Sequence, residues 1–226
     1  MKIQRQDTAR TRKNLLRAAS EVFAEKGYRD ATIAEICERA GANIAAVNYH
    51  FGNKETLYRE TWRQCFRNSI AAYPPDGGVD PKAPPEHRLA GQITALLRRT
   101  SDTRRKEFPI TLKELASPTG LLESVMHEEM RPLRTRIMSV LREILGPGRS
   151  DMAIRFCTVS ILSQCVMPGL INIVEKPPTG EDTESLRIDD IEAYARHVVA
   201  FSLAGMALIG MADEKMVKDH GGLYDG

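Results

Sequence analysis

The chain has 226 residues, 42% of them apolar, and a formal net charge of +2. That length supports one large domain or two small ones with a packed core, and the near-balanced charge excludes a protein that is basic over its whole surface. Four cysteines, Cys37, Cys65, Cys157 and Cys165, make no C-x-x-C pair, which argues against a disulfide framework and fits a reducing cytoplasm.

The N-terminal stretch "MKIQRQDTARTRKNLL" carries charge and no apolar segment, so no secretory signal is expected. Its charge is uneven. Lys2, Arg5, Arg10, Arg12, Lys13 and Arg17 face the single carboxylate of Asp7 up to position 17. Such an arm is either a phosphate footprint or the solvated start of a helix. Thr8 or Thr11 can cap a first helix running to about Lys26, with Leu15, Ala19, Val22 and Phe23 as its apolar stripe. Gly27 ends it. Thr32 stands three residues before Glu35, a capping box for a second helix over Ile33 to Ala40. Gly41 ends that one, and Asn43 is the N-cap of a third, which stops near Phe51. Gly52-Asn53 turns the chain, and Lys54 opens a fourth helix to about Tyr73.

The segment "PPDGGVDPKAPPE" holds five prolines and two glycines in thirteen residues and is read as a linker. Helices are predicted over 87–100, 104–116, 121–145, 151–175 and 188–212. Pro132 and Pro168 should kink or interrupt two of them. A second loop covers Glu175 to Ser185, and the tail "DHGGLYDG" should fray. No alternating strand pattern appears, so the fold class is all-α. Phe156 to Val174 carries no formal charge, but Thr158, Ser160, Ser163, Gln164 and Asn172 and the central Pro168-Gly169 argue against a membrane span. The 151–175 and 188–212 helices are expected to be buried on most faces, because a helix apolar nearly all round needs cover.

Helices of eight or nine residues must pack on something to be stable. Ile33, Ile36 and Cys37 give the second helix one apolar face; Val47 and Phe51 give the third another. A longer first helix can brace both, which makes either a helix-turn-helix or a plain three-helix bundle. At about 100° per residue, Val47 and Phe51 point inward, Ala45, Asn48 and Tyr49 point away, and Ile44 sits at the edge. That outward side suits a major groove: Asn can bond adenine twice, and Ala or Ile can meet a thymine methyl. Tyr49 and His50 can reach phosphates, Lys54 adds charge to a helix N-terminus, and the capping residue Thr32 can offer a hydroxyl or N–H.

The stretch "TIAEICERAGANIAAVNYHFGNKETLY", Thr32 to Tyr58, resembles the DNA-binding domain of TetR/AcrR-type transcriptional repressors. The resemblance rests on Thr32, Ile36, Ala40-Gly41, Val47, Tyr49-His50-Phe51, Lys54-Glu55 and Leu57. "NIAAVNYHFGNKE" and, further on, "KELASPTGLLESVMHEEMRPL" are similar to CecR-type regulators. The resemblance implies a homodimer with residues 1–53 as DNA-binding domain and 54–226 as ligand-binding and dimerisation domain, helix 54–73 connecting and 74–86 linking. It implies base contacts at Ile44, Ala45, Ala46 and Asn48, and phosphate contacts at Thr32, Tyr49, His50 and Lys54, with Asn43 in the same site. Many members carry tyrosine at the position of Asn48, so either Asn48 or Tyr49 makes the deciding base contact.

The expected partners are a double-stranded operator, a second copy held through helices 151–175 and 188–212, and a small-molecule effector. Phe108, Leu112, Met126, Met130, Phe156 and Met167 are candidate effector contacts, or else plain core. His127-Glu128-Glu129 is not H-E-x-x-H, so neither metal nor cofactor is expected. With no Gly-x-Ser-x-Gly, phosphate-binding loop or paired acid–base set, no enzyme is expected either. The rival reading is a helical protein-interaction module without DNA binding, which salt-dependent retention on DNA would separate.

Overall fold

The computed structural model describes residues 2–175 and 185–219, and all regular structure there is helical. In chain order the helices are α1 (Lys2–Asp30), α2 (Ile33–Ala40), α3 (Ile44–Phe51), α4 (Lys54–Ala72), α5 (Pro85–Ser101), α6 (Glu107–Ala116), α7 (Glu123–Leu145), α8 (Asp151–Val174) and α9 (Ile191–Asp219). Most of the predicted 175–185 loop and the tail beyond Asp219 lie outside the described residues, as do the side chains of Lys2 and Arg5.

The chain divides into two compact units. The first joins Met1–Ala72 to Asp102–Arg131, and the second joins Tyr73–Ser101 to Pro132–Gly226. In the first, α1 packs against α2, α3, α4 and α6. Its interior holds Leu15, Val22, Phe23, Ile36, Leu57 and Trp62, each without solvent exposure. Tyr58 is equally buried, and its hydroxyl donates to Glu114 Oε2 at 3.1 Å. The Glu114 carboxylate also accepts from the Thr119 and Gly120 N–H groups at 2.9 and 3.1 Å, so this buried acid is fully hydrogen-bonded rather than stranded.

The predicted first helix starts too late. Thr11 does not cap it: its hydroxyl donates to the Asp7 carbonyl one turn back, at 2.9 Å, and the helix reaches Lys2. Nothing between Lys2 and Thr11 breaks a helix, and the long side chains there favour one. Gly27 does break the helix, at φ 76° and ψ −176°, a region open to glycine alone, and one short helical turn follows it.

In the second unit, α5 packs against α8 and α9. Leu89, Ile93 and Leu97 of α5 meet Ile137, Val140, Leu141 and Leu145 of α7 and Ile154, Ile161 and Cys165 of α8. The helical spacing of each set is what the sequence period requires. Neither proline interrupts its helix: Pro132 lies inside α7 and Pro168 inside α8. One turn before Pro168, the Cys165 carbonyl accepts a hydrogen bond from Thr100 Oγ1 at 2.9 Å, which ties that part of α8 to α5.

The proline-rich linker is a fitted structure. Gly77, at φ +64°, lies backbone to backbone against Gly91 of α5. A Cβ on Gly91 would stand 2.5 Å from the Asp76 carbonyl oxygen and 2.6 Å from Val79 Cγ2. Gly91→Ala should therefore lower stability by about 2 kcal/mol, as overpacking does. Thermal unfolding checks this; an unchanged midpoint would show that the linker yields freely.

The expectation that the 151–175 and 188–212 helices are buried on most faces does not hold for a single chain. Met152, Phe156, Val159 and Met167 of α8 and Phe201 and Leu208 of α9 are all exposed. On each helix these residues recur at helical spacing, so each helix keeps one face on the core and leaves one apolar face uncovered. Among the described residues, Asp151–Asn172 is the one segment long and apolar enough to cross a membrane, by length and composition only.

Candidate nucleic-acid interface

The turn between α2 and α3 is built by local chemistry. Thr32 caps α2, its Oγ1 accepting from Glu35 N–H at 3.2 Å. Gly41 ends α2 in the left-handed conformation, φ 62°. Its N–H donates to the Glu38 carbonyl and the Ala42 N–H to the Cys37 carbonyl, the paired bonds of a Schellman stop. Two residues on, Asn43 Oδ1 accepts from Ala46 N–H at 2.9 Å and starts α3. The Glu35 carboxylate, the other half of the predicted capping box, takes Lys26 Nζ at 2.7 Å and Arg39 at 2.8 Å. Arg39 also forks onto Glu25, so α2 is laced to α1 by a four-residue charge network.

Helix α3 is held by two anchors. Val47 and Phe51 are buried, at 1% and 5% exposure. Arg12 of α1 lies 5.2 Å over the Phe51 ring, and its guanidinium is in turn held by Glu60 of α4 at 3.2 Å. Arg12 thus belongs to the support of α3 and is not simply part of a free basic arm. With the anchors inward, Ile44 is 55% and Tyr49 77% exposed, and Ala45, Asn48, Thr32 and Asn43 are exposed beside them. Ala46 and His50 are half-buried at the flank. Burial, and then the charge of Arg12, push the His50 imidazole below its ordinary pKa, so it stays neutral at neutral pH and offers one N–H.

Asn53, which the sequence reading used only as a turn residue, caps α4 by accepting from Thr56 N–H at 2.8 Å. That sets Lys54 at the first position of α4. Its ammonium lies 4.4 Å above the centre of the Tyr28 ring and 3.5 Å from the Arg29 carbonyl. Half-burial lowers its pKa and the charge of Asp30 pulls the other way. Tyr28 was missed from sequence. The only signal for it was its place just after Gly27.

All nine predicted DNA-contact residues lie in the first unit, from the α2 cap through the first residue of α4. The six effector candidates are divided. Phe108 and Leu112 of α6 and Met126 and Met130 of α7 are half-buried in the first unit, whereas Phe156 and Met167 stand on the exposed face of α8 in the second.

Comparison with known proteins points the same way. The family model for bacterial regulatory proteins of the tetR family matches residues 15–61. The model for the C-terminal domain of the HTH-type transcriptional dual regulator CecR matches residues 85–206, more than half of the chain. The HTH-type transcriptional repressor AcnR of Corynebacterium jeikeium is 24% identical over 195 residues, covering 86% of this chain and 97% of that one. CecR of Shigella flexneri is 51% identical over 47 residues, 21% of each chain. The chain spans less than two thirds of several such relatives, 38% in one case. The structure of the fatty acid degradation regulator FadR from Bacillus halodurans superposes with a TM-score of 0.63 at 16% identity, covering 86% of this chain and 95% of that one, a likeness of fold.

Proposed function

The chain belongs to the tetR family of bacterial regulatory proteins, with a C-terminal domain of the CecR type, and on that premise we propose that it is a repressor that binds a palindromic operator as a homodimer and is released by a small-molecule effector. The observation that carries this reading is the two-sided character of α3. Val47 and Phe51 fix it to the first unit, while Ile44, Ala45, Asn48 and Tyr49 are left to solvent. A short helix with a small, polar and uncharged outer face fits the floor of a major groove. Lys54, His50 and the Thr32 hydroxyl flank it where phosphates would run. The lack of charge on α3 is then a division of labour: base edges are read by the helix, and attraction comes from its borders.

The homodimer is supported by the uncovered apolar faces of α8 and α9, which a second copy would cover, as a core cut in half would require. On this reading Phe156 and Met167 serve the dimer. Two α3 helices would then lie about 34–36 Å apart, or a multiple of it, to meet successive major grooves. An effector with different affinities for the DNA-bound and free arrangements would release the operator in proportion to that difference. Phe108, Leu112, Met126 and Met130 remain the proposed contacts for it.

Selection from a random-sequence duplex pool tests the reading. The protein should enrich an inverted repeat, sediment as a dimer, and bind with an affinity that falls steeply with salt. Lys54→Ala should weaken binding to all sequences alike and reduce the salt slope by about one. Recovery of no repeat, or a chain that sediments as a monomer on DNA, would sink it.

A further inference from the structure

Lys54 is the formal cation among the nine proposed contact residues, and its ammonium at the start of α4 is seated on the last turn of α1. The Asn53 cap fixes where α4 begins. The last turn of α1 supplies the Arg29 carbonyl and the Tyr28 ring, on which the ammonium rests at 3.5 and 4.4 Å. That ring is itself backed. Its centre lies 5.1 Å from Tyr58, and Tyr58 is wedged between Phe23, 4.7 Å away, and the Glu114 carboxylate that its hydroxyl binds. Tyr58 is fully buried, so the ring that Tyr28 packs against is itself fixed in the interior. Gly27 makes the arrangement reachable. Its conformation at φ 76° swings the chain out of the α1 path just before Tyr28, and no residue with a side chain adopts it without strain.

We infer that Tyr28 is a positioning residue for DNA binding, whose ring face and the adjoining Arg29 carbonyl hold the Lys54 ammonium at the edge of the α3 surface, ready for a backbone phosphate. The inference rests on the DNA-binding reading above. A lysine carries about 2 kcal/mol of rotamer freedom that a phosphate contact must otherwise restrict at the moment of binding. A cation resting on an aromatic face is restricted beforehand. An ammonium has three N–H donors, so a seat of one carbonyl and one ring face leaves capacity for a phosphate oxygen. A lysine attracted only by bulk charge needs no such seat.

The test uses the full chain and a mixed-sequence duplex, titrated over a salt series, since a phosphate contact is independent of sequence. Tyr28→Leu should weaken binding at low salt about fivefold and reduce the salt slope by up to about one. Tyr28→Phe, which keeps the ring face, should restore both. Tyr28→Leu added to Lys54→Met should change nothing further. Fluorinated phenylalanine at position 28 keeps the ring's shape and weakens its negative face, so it should behave as Tyr28→Leu does even where leucine impairs folding. If Lys54→Met lowers the slope but Tyr28→Leu and the fluorinated ring both leave it at the wild-type value, Tyr28 is packing alone and the inference fails by itself. If Lys54→Met leaves the slope unchanged, the phosphate role of Lys54 falls and the inference falls with it.

Discussion

Alanine at Asn48, Tyr49 and Lys54 together should abolish preference for the selected operator while leaving the fold intact. Asn48 and Tyr49 are exposed on α3, and Lys54 is half-buried at its border. A bidentate base contact is worth about 1–3 kcal/mol of discrimination. Loss of a phosphate contact removes about one counterion from the salt slope. The combined effect is on the order of a hundred- to ten-thousandfold in operator affinity. Stability should move little, by about half a kcal/mol or less, since none of the three fills the core. Fluorescence anisotropy on labelled operator, paired with thermal unfolding, measures both. Binding that survives the triple change would remove α3 as the reader. The single variants then divide the work: the residue whose loss relaxes the consensus at one base position makes the deciding contact, and this apportions Asn48 against Tyr49.

The largest effect on stability should come from Trp62→Ala. The indole has no solvent exposure. It stacks on Phe66 with ring centres 5.0 Å apart, and its Nε1–H donates to Thr111 Oγ1 at 2.9 Å, joining α4 to α6. Truncating a buried tryptophan to alanine costs about 3–5 kcal/mol. The whole margin of a native protein is about 5–15 kcal/mol, so the variant should sit near the edge of folding at ambient temperature. Urea unfolding followed by far-UV circular dichroism reads it directly. A loss below about 1 kcal/mol would mean that α6 closes over the cavity. Trp62→Phe should fall between the two.

The proposed reader was legible because its signals are local. Thr32, Gly41 and Asn43 act within a few residues of where they stand, and each did what its side chain or backbone freedom dictates. The inward and outward sides of α3 followed from a period alone, since Val47 and Phe51 have one way to share a face. What escaped depends on distant partners. Nothing near Arg12 in sequence announces Phe51 or Glu60, and nothing near Lys54 announces Tyr28. The grouping of α6 with the first unit is set by bonds such as Tyr58 to Glu114 and Arg29 to the Pro118 carbonyl, which join residues more than fifty positions apart. The start of α1 was misplaced for the opposite reason: Thr11 has the chemistry of a cap, but a favourable helix already ran through it.

The chain holds a single tryptophan, and it lies in the first unit. Indole emission is therefore a native spectroscopic label for one unit only, with no dye or engineered residue required. Far-UV ellipticity, in contrast, sums every helix in the chain. Following one denaturation by both signals asks whether the two units lose structure together. Coincident curves mean a single cooperative transition, and separated curves give each unit its own midpoint.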